Sequence, residues 1–381
     1  MIHTNITRPT LIIDSGRASH NIDRMASKAR KSGVRFRPHF KTHQSADIGH
    51  WFRDCGVTAI TVSSATMAQY FANNGWSDIT IAFPMNLREL NHIVDLAESI
   101  DLSVLVDSKA AVSALQRTSK AKINIWIKID AGYHRAGIPW DRTDHIISLA
   151  KLIQKTPHLN FSGILAHNGQ TYCEKNAEGI KRVHAEAMLR LSDAKQELIE
   201  SGMETCEISI GDTPSCSVLE TFNGADEIRP GNFVFYDIIQ TMIGSCTDQD
   251  IAVAVACPVV GKYRDRGELV IYGGAIHFSK DYIPDSEGNN IFGYVVTETD
   301  NSLGRADWQA PLISLSQEHG ILKASNWLFD QVNIGDAITI FPVHSCLACN
   351  QFPEYLTLEG TIIKKLISTD DFCNQSGNIN H

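Results

Sequence analysis

Residues 102–130 read LSVLVDSKAAVSALQRTSKAKINIWIKID and contain one unit of the pattern that organises the first two-thirds of the chain. A β-branched run begins at Leu102, an amphipathic segment follows, and a second apolar run begins at Ile123. Short apolar runs that alternate with helical segments are typical of parallel strands joined by helices. This stretch therefore predicts an α/β fold with a buried parallel sheet.

The same unit recurs along the chain at intervals of roughly 20 to 40 residues. Eight strands are predicted to begin near Val34, Val57, Asp78, Leu102, Ile123, Phe161, Cys206 and Glu227. Eight alternating strand and helix units favour a (β/α)₈ TIM barrel over an open sheet.

The first helix of the barrel is predicted between Ser15 and Gly33. Its apolar residues recur at i, i+3, i+4 and i+7, which is the period of one helix face. Ser15 fits an N-cap, and Gly33 fits the residue that ends a helix. The apolar positions are Ile22, Met25, Ala26 and Ala29.

The pattern changes after residue 245, where no long helical period appears. Strand-like runs separated by turn residues predict a C-terminal all-β domain. We predict a barrel over 15–245, a β domain over 246–368 and a polar tail over 369–381. The strand Thr10–Ile13, within residues 1–14, could pair with the second domain. The runs are Ile251–Cys257, Glu268–Tyr272, Ile291–Thr297, Ala337–Phe341 and Leu356–Lys364.

Composition excludes several classes of protein. The net charge of −9 argues against a nucleic-acid or anionic membrane surface. The most apolar stretch, Ile251 to Val260, is far shorter than the roughly 20 residues of a membrane span. No signal peptide is recognisable at the start, and the nine cysteines are expected to be reduced thiols. We therefore expect a cytoplasmic protein.

Catalytic groups of a (β/α)₈ barrel lie at the C-terminal ends of its strands. Lys41 follows the first strand there, between His39 and His43. A partly desolvated lysine at the barrel mouth would have a lowered pKa and could form an imine with a cofactor aldehyde. The alternative is an ordinary solvated surface lysine.

Two later loops suit a phosphate group. Gly211-Asp212-Thr213-Pro214-Ser215 opens a short helix with backbone N–H groups and hydroxyls, and Gly231-Asn232 could add two amides. The alternative is an ordinary N-cap turn. Asp212 is an objection, because its charge would repel a phosphate if it pointed inward.

A candidate metal site lies far downstream. His344 and Cys346 would point to the same side of an extended segment, and imidazole with thiolate is a good pair of zinc ligands. Two protein ligands leave coordination positions open, which is typical of a catalytic ion. The alternatives are half of a structural zinc site that includes Cys349, or three core residues without metal.

Taken together, these motifs resemble the pyridoxal phosphate (PLP) enzymes of the alanine-racemase-like fold, and among them the D-serine dehydratase and D-threonine aldolase family. The matching segments are Arg37–His43, Ile129–Gly137, His167–Tyr172, Gly211–Ser215, Arg229–Asn232 and His344 to Asn350. The resemblance runs almost from end to end, and it also implies a homodimer with the site near the subunit interface.

The resemblance assigns roles to individual residues. It implies that Lys41 carries PLP as a Schiff base and acts as the base at Cα, and that Arg135 lies near the pyridine ring. It also implies that Tyr172 approaches the ring nitrogen and that His344 and Cys346 bind the metal. The remaining predicted cofactor contacts are His39, Gly211, Thr213, Gly231 and Asn232.

The reaction implied is that of a lyase on β-hydroxy D-amino acids. His-x-Cys resembles the dehydratase version, which converts D-serine to pyruvate and ammonia, and a thiolate favours Zn²⁺ over Mn²⁺ or Mg²⁺. D-threonine aldolase and a 3-hydroxy-D-aspartate aldolase or dehydratase are alternatives. Departures at Asp212, Gln170 and Leu347-Ala348-Cys349 leave the substrate open.

More distant alternatives remain at this point. A racemase needs a second base on the opposite face and no metal. A non-enzymatic PLP carrier is usually a single domain, so the additional β domain argues against it. An unrelated TIM-barrel enzyme for a phosphorylated sugar is the third alternative.

Overall fold

The structure is a computed structural model that describes residues 6–297 and 302–366. Two large sheets and the helices around the first of them make up the fold. The predicted polar tail, residues 369–381, lies outside the described residues. In chain order the strands are β1 (Thr10–Ile13), β2 (Arg35–Phe36), β3 (Ala59–Val62), β4 (Asp78–Pro84), β5 (Asp101–Val106), β6 (Ile123–Asp130), β7 (Ile138–Pro139), β8 (Leu159–Leu165), β9 (Glu207–Ile210), β10 (Glu227–Ile228), β11 (Val253–Tyr263), β12 (Glu268–Tyr272), β13 (Ile283–Pro284), β14 (Asn290–Ile291), β15 (Gly293–Val296), β16 (Ala306–Leu315), β17 (His319–Lys323), β18 (Ala337–Pro342), β19 (Glu354–Thr357) and β20 (Ile362–Lys364).

Helices connect the strands of the first sheet and are short in the second half of the chain. The α-helices are α1 (Ser15–Ser32), α2 (Ala46–Asp54), α3 (Ala65–Asn73), α4 (Leu90–Ala97), α5 (Lys109–Thr118), α6 (Thr143–Lys155), α7 (Ala177–Glu200), α8 (Thr213–Val218), α9 (Ile238–Met242), α10 (Ala275–Phe278), α11 (Asn326–Gln331) and α12 (Ser345–Asn350). No helix in the described part of the chain is long and apolar enough to cross a membrane.

The first sheet is the predicted barrel. Its eight strands run in the order β2-β10-β9-β8-β6-β5-β4-β3, and the pairs are parallel. An isolated parallel bridge from His39 to Thr61 joins the two ends of this path, so the sheet closes on itself. The prediction of a TIM barrel is confirmed, and all eight predicted strands are present.

The first helix has a different N-cap from the predicted one. Asp14, rather than Ser15, caps α1, because its carboxylate accepts a hydrogen bond from the Arg17 N–H. Gly33 ends the helix with φ at 67°, the left-handed region that glycine adopts without steric cost. The capping site therefore moves by one residue, and the buried face with Ile22 and Met25 is the predicted one.

The second sheet has nine strands in the order β12-β17-β16-β15-β18-β11-β1-β19-β20, and all pairs but one are antiparallel. β1 lies inside this sheet, antiparallel to β11 and parallel to β19, so a strand from the start of the chain belongs to the C-terminal sheet. Sequence patterning missed β16 and β17. It also missed three short helices, of which α12 matters for the candidate site.

A buried ionic network lies between the barrel strands at their closing seam. Arg37 Nε donates to Glu227 at 2.7 Å, and Glu227 also accepts from Ser209 at 2.7 Å. Arg229 donates to Ser209 and to the Ala166 carbonyl, and its guanidinium is almost completely buried. The positive and negative charges of this network are paired and hydrogen-bonded to each other. Charged groups are stable in a protein interior only when they are compensated in this way.

Candidate functional site

Lys41 lies in the turn that follows β2, at the C-terminal end of the barrel. The backbone N–H of Lys41 donates to His39 Nδ1 at 3.3 Å, and Phe40 anchors the turn in a fully buried aromatic cluster. The sequence predicts a partly desolvated lysine, but in the single chain the Lys41 side chain is exposed. It is exposed because the turn opens at the mouth of the barrel, where no other described segment of this chain covers it.

Two neutral histidines lie beside this turn. Burial lowers the pKa of His39 and His167 well below their ordinary value, and the nearby positive charge of Lys41 adds to the effect. His167 Nδ1 donates to the Gly211 carbonyl, which leaves its Nε2 as an acceptor. His39 accepts at Nδ1, so its Nε2 carries the proton. The two rings thus offer one donor and one acceptor without a charge.

The two predicted phosphate loops meet the Lys41 turn. A Cβ at Gly231 would lie 3.0 Å from His39 Cβ and 3.2 Å from Thr42 Oγ1, so a side chain here would need these neighbours to move by a few tenths of an ångström. A Cβ at Gly211 would lie 2.8 Å from the Arg229 carbonyl oxygen. Contacts between neighbouring loops therefore favour a glycine at both positions, most strongly at Gly211.

The sequence suggested that Asp212 could oppose a phosphate, and in the structure one carboxylate oxygen is engaged while the other, Oδ2, is buried without a partner among the described residues. Its Oδ1 caps α8 by accepting from the Ser215 N–H at 2.7 Å, and it accepts from Thr171 Oγ1 at 3.0 Å. Burial nevertheless raises its pKa to about 6. The carboxylate is directed into its own helix start, where negative charge is favoured.

A buried hydroxyl in these loops fits a phosphate group. Ser215 Oγ is buried, has no hydrogen-bond partner among residues 6–297 and 302–366, and can donate to a phosphate oxygen. A buried hydroxyl or amide without a partner is costly, so such atoms point to a ligand that completes them. The predicted phosphate loops therefore fit a phosphorylated cofactor.

Tyr172 and Arg135 approach from two other strand ends. The Tyr172 hydroxyl accepts from the Thr213 N–H at 3.3 Å, so it lies at the predicted phosphate loop, and burial raises its pKa. Its approach to a ring nitrogen stays a prediction. The Arg135 guanidinium lies 5.1 Å from the ring centre of Tyr133. Arg135 is also close enough to His167 to lower the pKa of that ring. Both predicted residues thus lie around the same opening.

His344 and Cys346 come together, but not in the predicted extended segment. His344 is extended and caps α12, whereas Cys346 lies in the first turn of that helix. The neighbouring His344 imidazole lowers the pKa of Cys346 against the opposing effect of burial. The two predicted ligands therefore come together at a strand-to-helix junction, and not by the alternation of side chains along a strand.

The donor set at this junction fits a divalent metal of the zinc type, because imidazole nitrogen and thiolate sulfur are its usual ligands. No group of three or more His, Cys, Asp or Glu side chains suited to a metal occurs within the described residues. His344 and Cys346 would therefore leave coordination positions for water or substrate. Cys349 is fully buried behind them, and the eight described cysteines are all free.

Asn232 connects the phosphate loop with the metal pair. Its Nδ2 donates to Asp237 at 2.8 Å and to Ser345 Oγ at 2.9 Å, and it lies 3.5 Å from Cys346 Sγ. Asp237 in turn accepts from the Ser345 N–H at 3.0 Å. The side chain of Asn232 thus contacts the start of α12. Its place in the predicted phosphate loop did not indicate this contact.

Three other charged or polar groups at the site have no role that the sequence predicts. His167 and Arg229 begin the segments His167–Tyr172 and Arg229–Asn232, and Lys128 lies in β6. Lys128 points into the barrel, where burial lowers its pKa to about 7 and the charges of Arg229 and Arg135 add to this effect. A lysine in an apolar strand is the one signal that could have identified Lys128, since buried lysines are rare.

Comparison with known proteins gives two family matches along the chain. Residues 13–238 match the family described as "Alanine racemase, N-terminal domain", and residues 252–358 match the "Putative serine dehydratase domain". D-threo-3-hydroxyaspartate dehydratase of Delftia sp. (strain HT23) is 29% identical over 359 residues, which are 92% of this chain and 93% of that protein. D-serine dehydratase of Dictyostelium discoideum is 29% identical over 377 residues, with the same two shares.

A solved structure gives the same result in three dimensions. D-threo-3-hydroxyaspartate dehydratase from Delftia sp. HT23 superposes with a TM-score of 0.87 at 28% identity, covering 96% of this chain and 98% of the other. A cysteine-to-alanine mutant of a D-threo-3-hydroxyaspartate dehydratase has been solved in a metal-free form, with a TM-score of 0.88 over the same shares of the two chains.

Proposed function

Because this chain belongs to the family of the alanine racemase N-terminal domain, we propose that it is a PLP- and metal-dependent lyase acting on β-hydroxy D-amino acids. One observation carries the proposal: the turn with Lys41 and the helix with Cys346 are in direct contact, Thr42 Oγ1 lying 3.4 Å from Cys346 Sγ. A lysine for the cofactor and a metal ligand are therefore available to the same substrate.

Each side chain has a place in the proposed site. Lys41 would hold the cofactor and then serve as the base at the substrate Cα. The loops at Gly211–Thr213 and Gly231–Asn232 would hold the phosphate, with His39, Arg135 and Tyr172 around the ring. His344 and Cys346 would hold the metal. When bound, PLP supplies an electron sink for the negative charge at Cα, and the metal supplies a Lewis acid for the β-oxygen.

Further side chains surround Lys41 and would control hydrogen bonding, support and protonation at the site. The neutral His39 and His167 can exchange hydrogen bonds without adding charge beside the lysine. The buried network of Glu227 and Arg229 supports the floor of the barrel beneath them. Lys128, with a pKa of about 7, can hold or release a proton near neutral pH.

Elimination is the outcome we favour, with D-serine as the substrate and pyruvate and ammonia as the products. Zn²⁺ is the metal we propose, since the thiolate of Cys346 is a softer ligand than a carboxylate. A 3-hydroxy-D-aspartate is the second candidate substrate, because the dehydratase of Delftia sp. is as similar to this chain as the D-serine enzyme is. The ranges 15–245 and 246–368 remain our proposed domains, and a homodimer and a cytoplasmic location are part of the proposal.

A product assay tests this function. Purified protein loaded with PLP is given D-serine, D-threonine or D-threo-3-hydroxyaspartate, with and without a chelator. Pyruvate from D-serine that is lost with EDTA and restored by Zn²⁺ supports the proposal. Glycine from D-threonine without pyruvate would replace elimination by aldol cleavage, and activity that EDTA does not change would remove His344 and Cys346 from the reaction.

A further inference from the structure

We propose that Asp281 is a positioning residue that orients the His344 ring for the metal. The inference rests on the proposed function, since it concerns the same metal site. Asp281 Oδ2 lies 2.6 Å from His344 Nδ1, although the two residues are 63 positions apart in the chain. Nothing in the motif around His344 indicates this partner.

The contact decides which nitrogen of His344 is available to a metal. The carboxylate of Asp281 can only accept, so His344 Nδ1 carries the proton and donates it. The other nitrogen, Nε2, is then the one left for a metal. Cys346 follows two residues later in the first turn of α12, so Nε2 and Cys346 Sγ are the two atoms that a shared metal would bind.

The backbone in front of Asp281 is held in an unusual conformation. Ser279 has φ at 74° and ψ at −176°, a region that residues with a side chain rarely adopt. Its N–H donates to the Ala275 carbonyl at 2.8 Å, and its Oγ accepts from the Asp281 N–H at 3.1 Å. This strained turn points Asp281 towards His344.

Neighbouring residues fix both sides of the turn. Phe278, directly before Ser279, is completely buried. Lys280, directly after it, donates from Nζ to the Leu315 carbonyl at 2.7 Å. With both neighbours anchored, the position of Asp281 depends little on its own contact with His344, so the carboxylate is in place before the metal binds.

A role in stability does not explain this arrangement. The Asp281 and His344 side chains are 47% and 32% exposed, and ion pairs this accessible to solvent add little to folding. A strained backbone that places an exposed carboxylate is instead typical of functional sites. Histidines that bind metals commonly donate their second N–H to a carboxylate, which fixes the ring and strengthens the ligand.

The test compares zinc affinity in four full-length proteins loaded with PLP: the wild type, D281N, D281E and D285N. Asp285 is the matched control, because it is a partly exposed aspartate of the same segment whose described carboxylate hydrogen bonds lie within its own turn, to Asn289 and Glu287. Zinc dissociation constants are measured by competition with a chromophoric chelator. The bound PLP absorbance and the melting temperature are recorded for each protein.

We expect D281N to weaken zinc binding roughly 10- to 100-fold, D281E to recover part of the loss, and D285N to stay within about twofold of the wild type. PLP absorbance and melting temperature should be the same in all four. Equal zinc affinity in D281N and the wild type would overturn the role of Asp281 and leave the proposed lyase intact. A wild type that binds no zinc would instead overturn the metal part of the proposed function.

Discussion

Thr42 Oγ1 lies 3.4 Å from Cys346 Sγ, so the residue after the proposed PLP lysine contacts a proposed metal ligand 304 positions away. Three further hydrogen bonds join the same two regions. Gln44 donates to the Asn350 side chain at 3.0 Å, the Tyr355 hydroxyl donates to the His43 carbonyl at 2.8 Å, and the Leu366 N–H donates to the Gln44 carbonyl at 2.7 Å. The two halves of the candidate site are thereby held together within one chain.

The first prediction concerns the reactivity of Cys346 in metal-free protein. Burial alone would raise its pKa, but the hydrogen bond and charge of His344 lower it, and Thr42 makes a smaller contribution. In H344A the pH midpoint for alkylation of Cys346 by iodoacetamide should rise, and in T42V it should rise by less. Peptide mass mapping separates Cys346 from the other cysteines. An unchanged midpoint in H344A would contradict the pairing.

The second prediction concerns the buried charge network at the barrel seam. Glu227 is completely buried and accepts hydrogen bonds from Arg37 and Ser209. In E227Q the buried Arg229 loses its nearest counter-charge and Arg37 keeps only its pair with Asp78, so we expect a loss of about 3–5 kcal/mol in the free energy of unfolding. E207Q is the control, since Glu207 pairs with Arg35 at the surface, and it should cost less than about 1 kcal/mol. Urea unfolding measures both, and equal losses would refute the account.

A third prediction follows from Asp212. Its folded pKa of about 6 lies above the roughly 3.9 of an unfolded aspartate, so the folded state binds the proton more tightly. A raised carboxyl pKa means that this group's contribution to stability falls as the pH rises from about 4 to 6. The stability of D212N relative to the wild type should therefore increase from pH 4 to pH 7, by on the order of 2 kcal/mol.

Denaturant unfolding of PLP-free protein at several pH values measures this difference. D226N serves as the control, because Asp226 has an exposed carboxylate paired with Lys195. The substitution also changes the free energy of unfolding by an amount that does not depend on pH. The test is therefore how the difference between D212N and the wild type changes with pH. A difference that stays flat between pH 4 and 7 would show that Asp212 is not desolvated as the structure indicates.

The barrel was predictable because its strands are buried on both faces. Such strands appear as continuous apolar runs, and each predicted start falls within two residues of an observed strand, as with Leu102 and β5 (Asp101–Val106). The rule that catalytic groups follow the strands then placed Lys41, Gly211 and Gly231 at one end. Local pattern and a general rule of the fold sufficed for these residues.

Other parts of the site depend on contacts that no local pattern records. Asp281 meets His344 because two distant segments pack together, and a single sequence does not show such pairs. Helix α12 was missed because six residues are less than two full turns and give no visible period. The N-cap at Asp14 was missed by one residue, since Asp and Ser are equally good caps and stand side by side.

The most direct test of the central claim is the covalent attachment of PLP to Lys41. The wild type and K41A are incubated with PLP, treated with borohydride and digested, and the peptides are analysed by mass spectrometry. We expect a visible cofactor absorbance that borohydride abolishes, a phosphopyridoxyl group on the Lys41 peptide of the wild type, and neither signal in K41A. A label on another lysine, or equal labelling of both proteins, would show that Lys41 does not carry the cofactor.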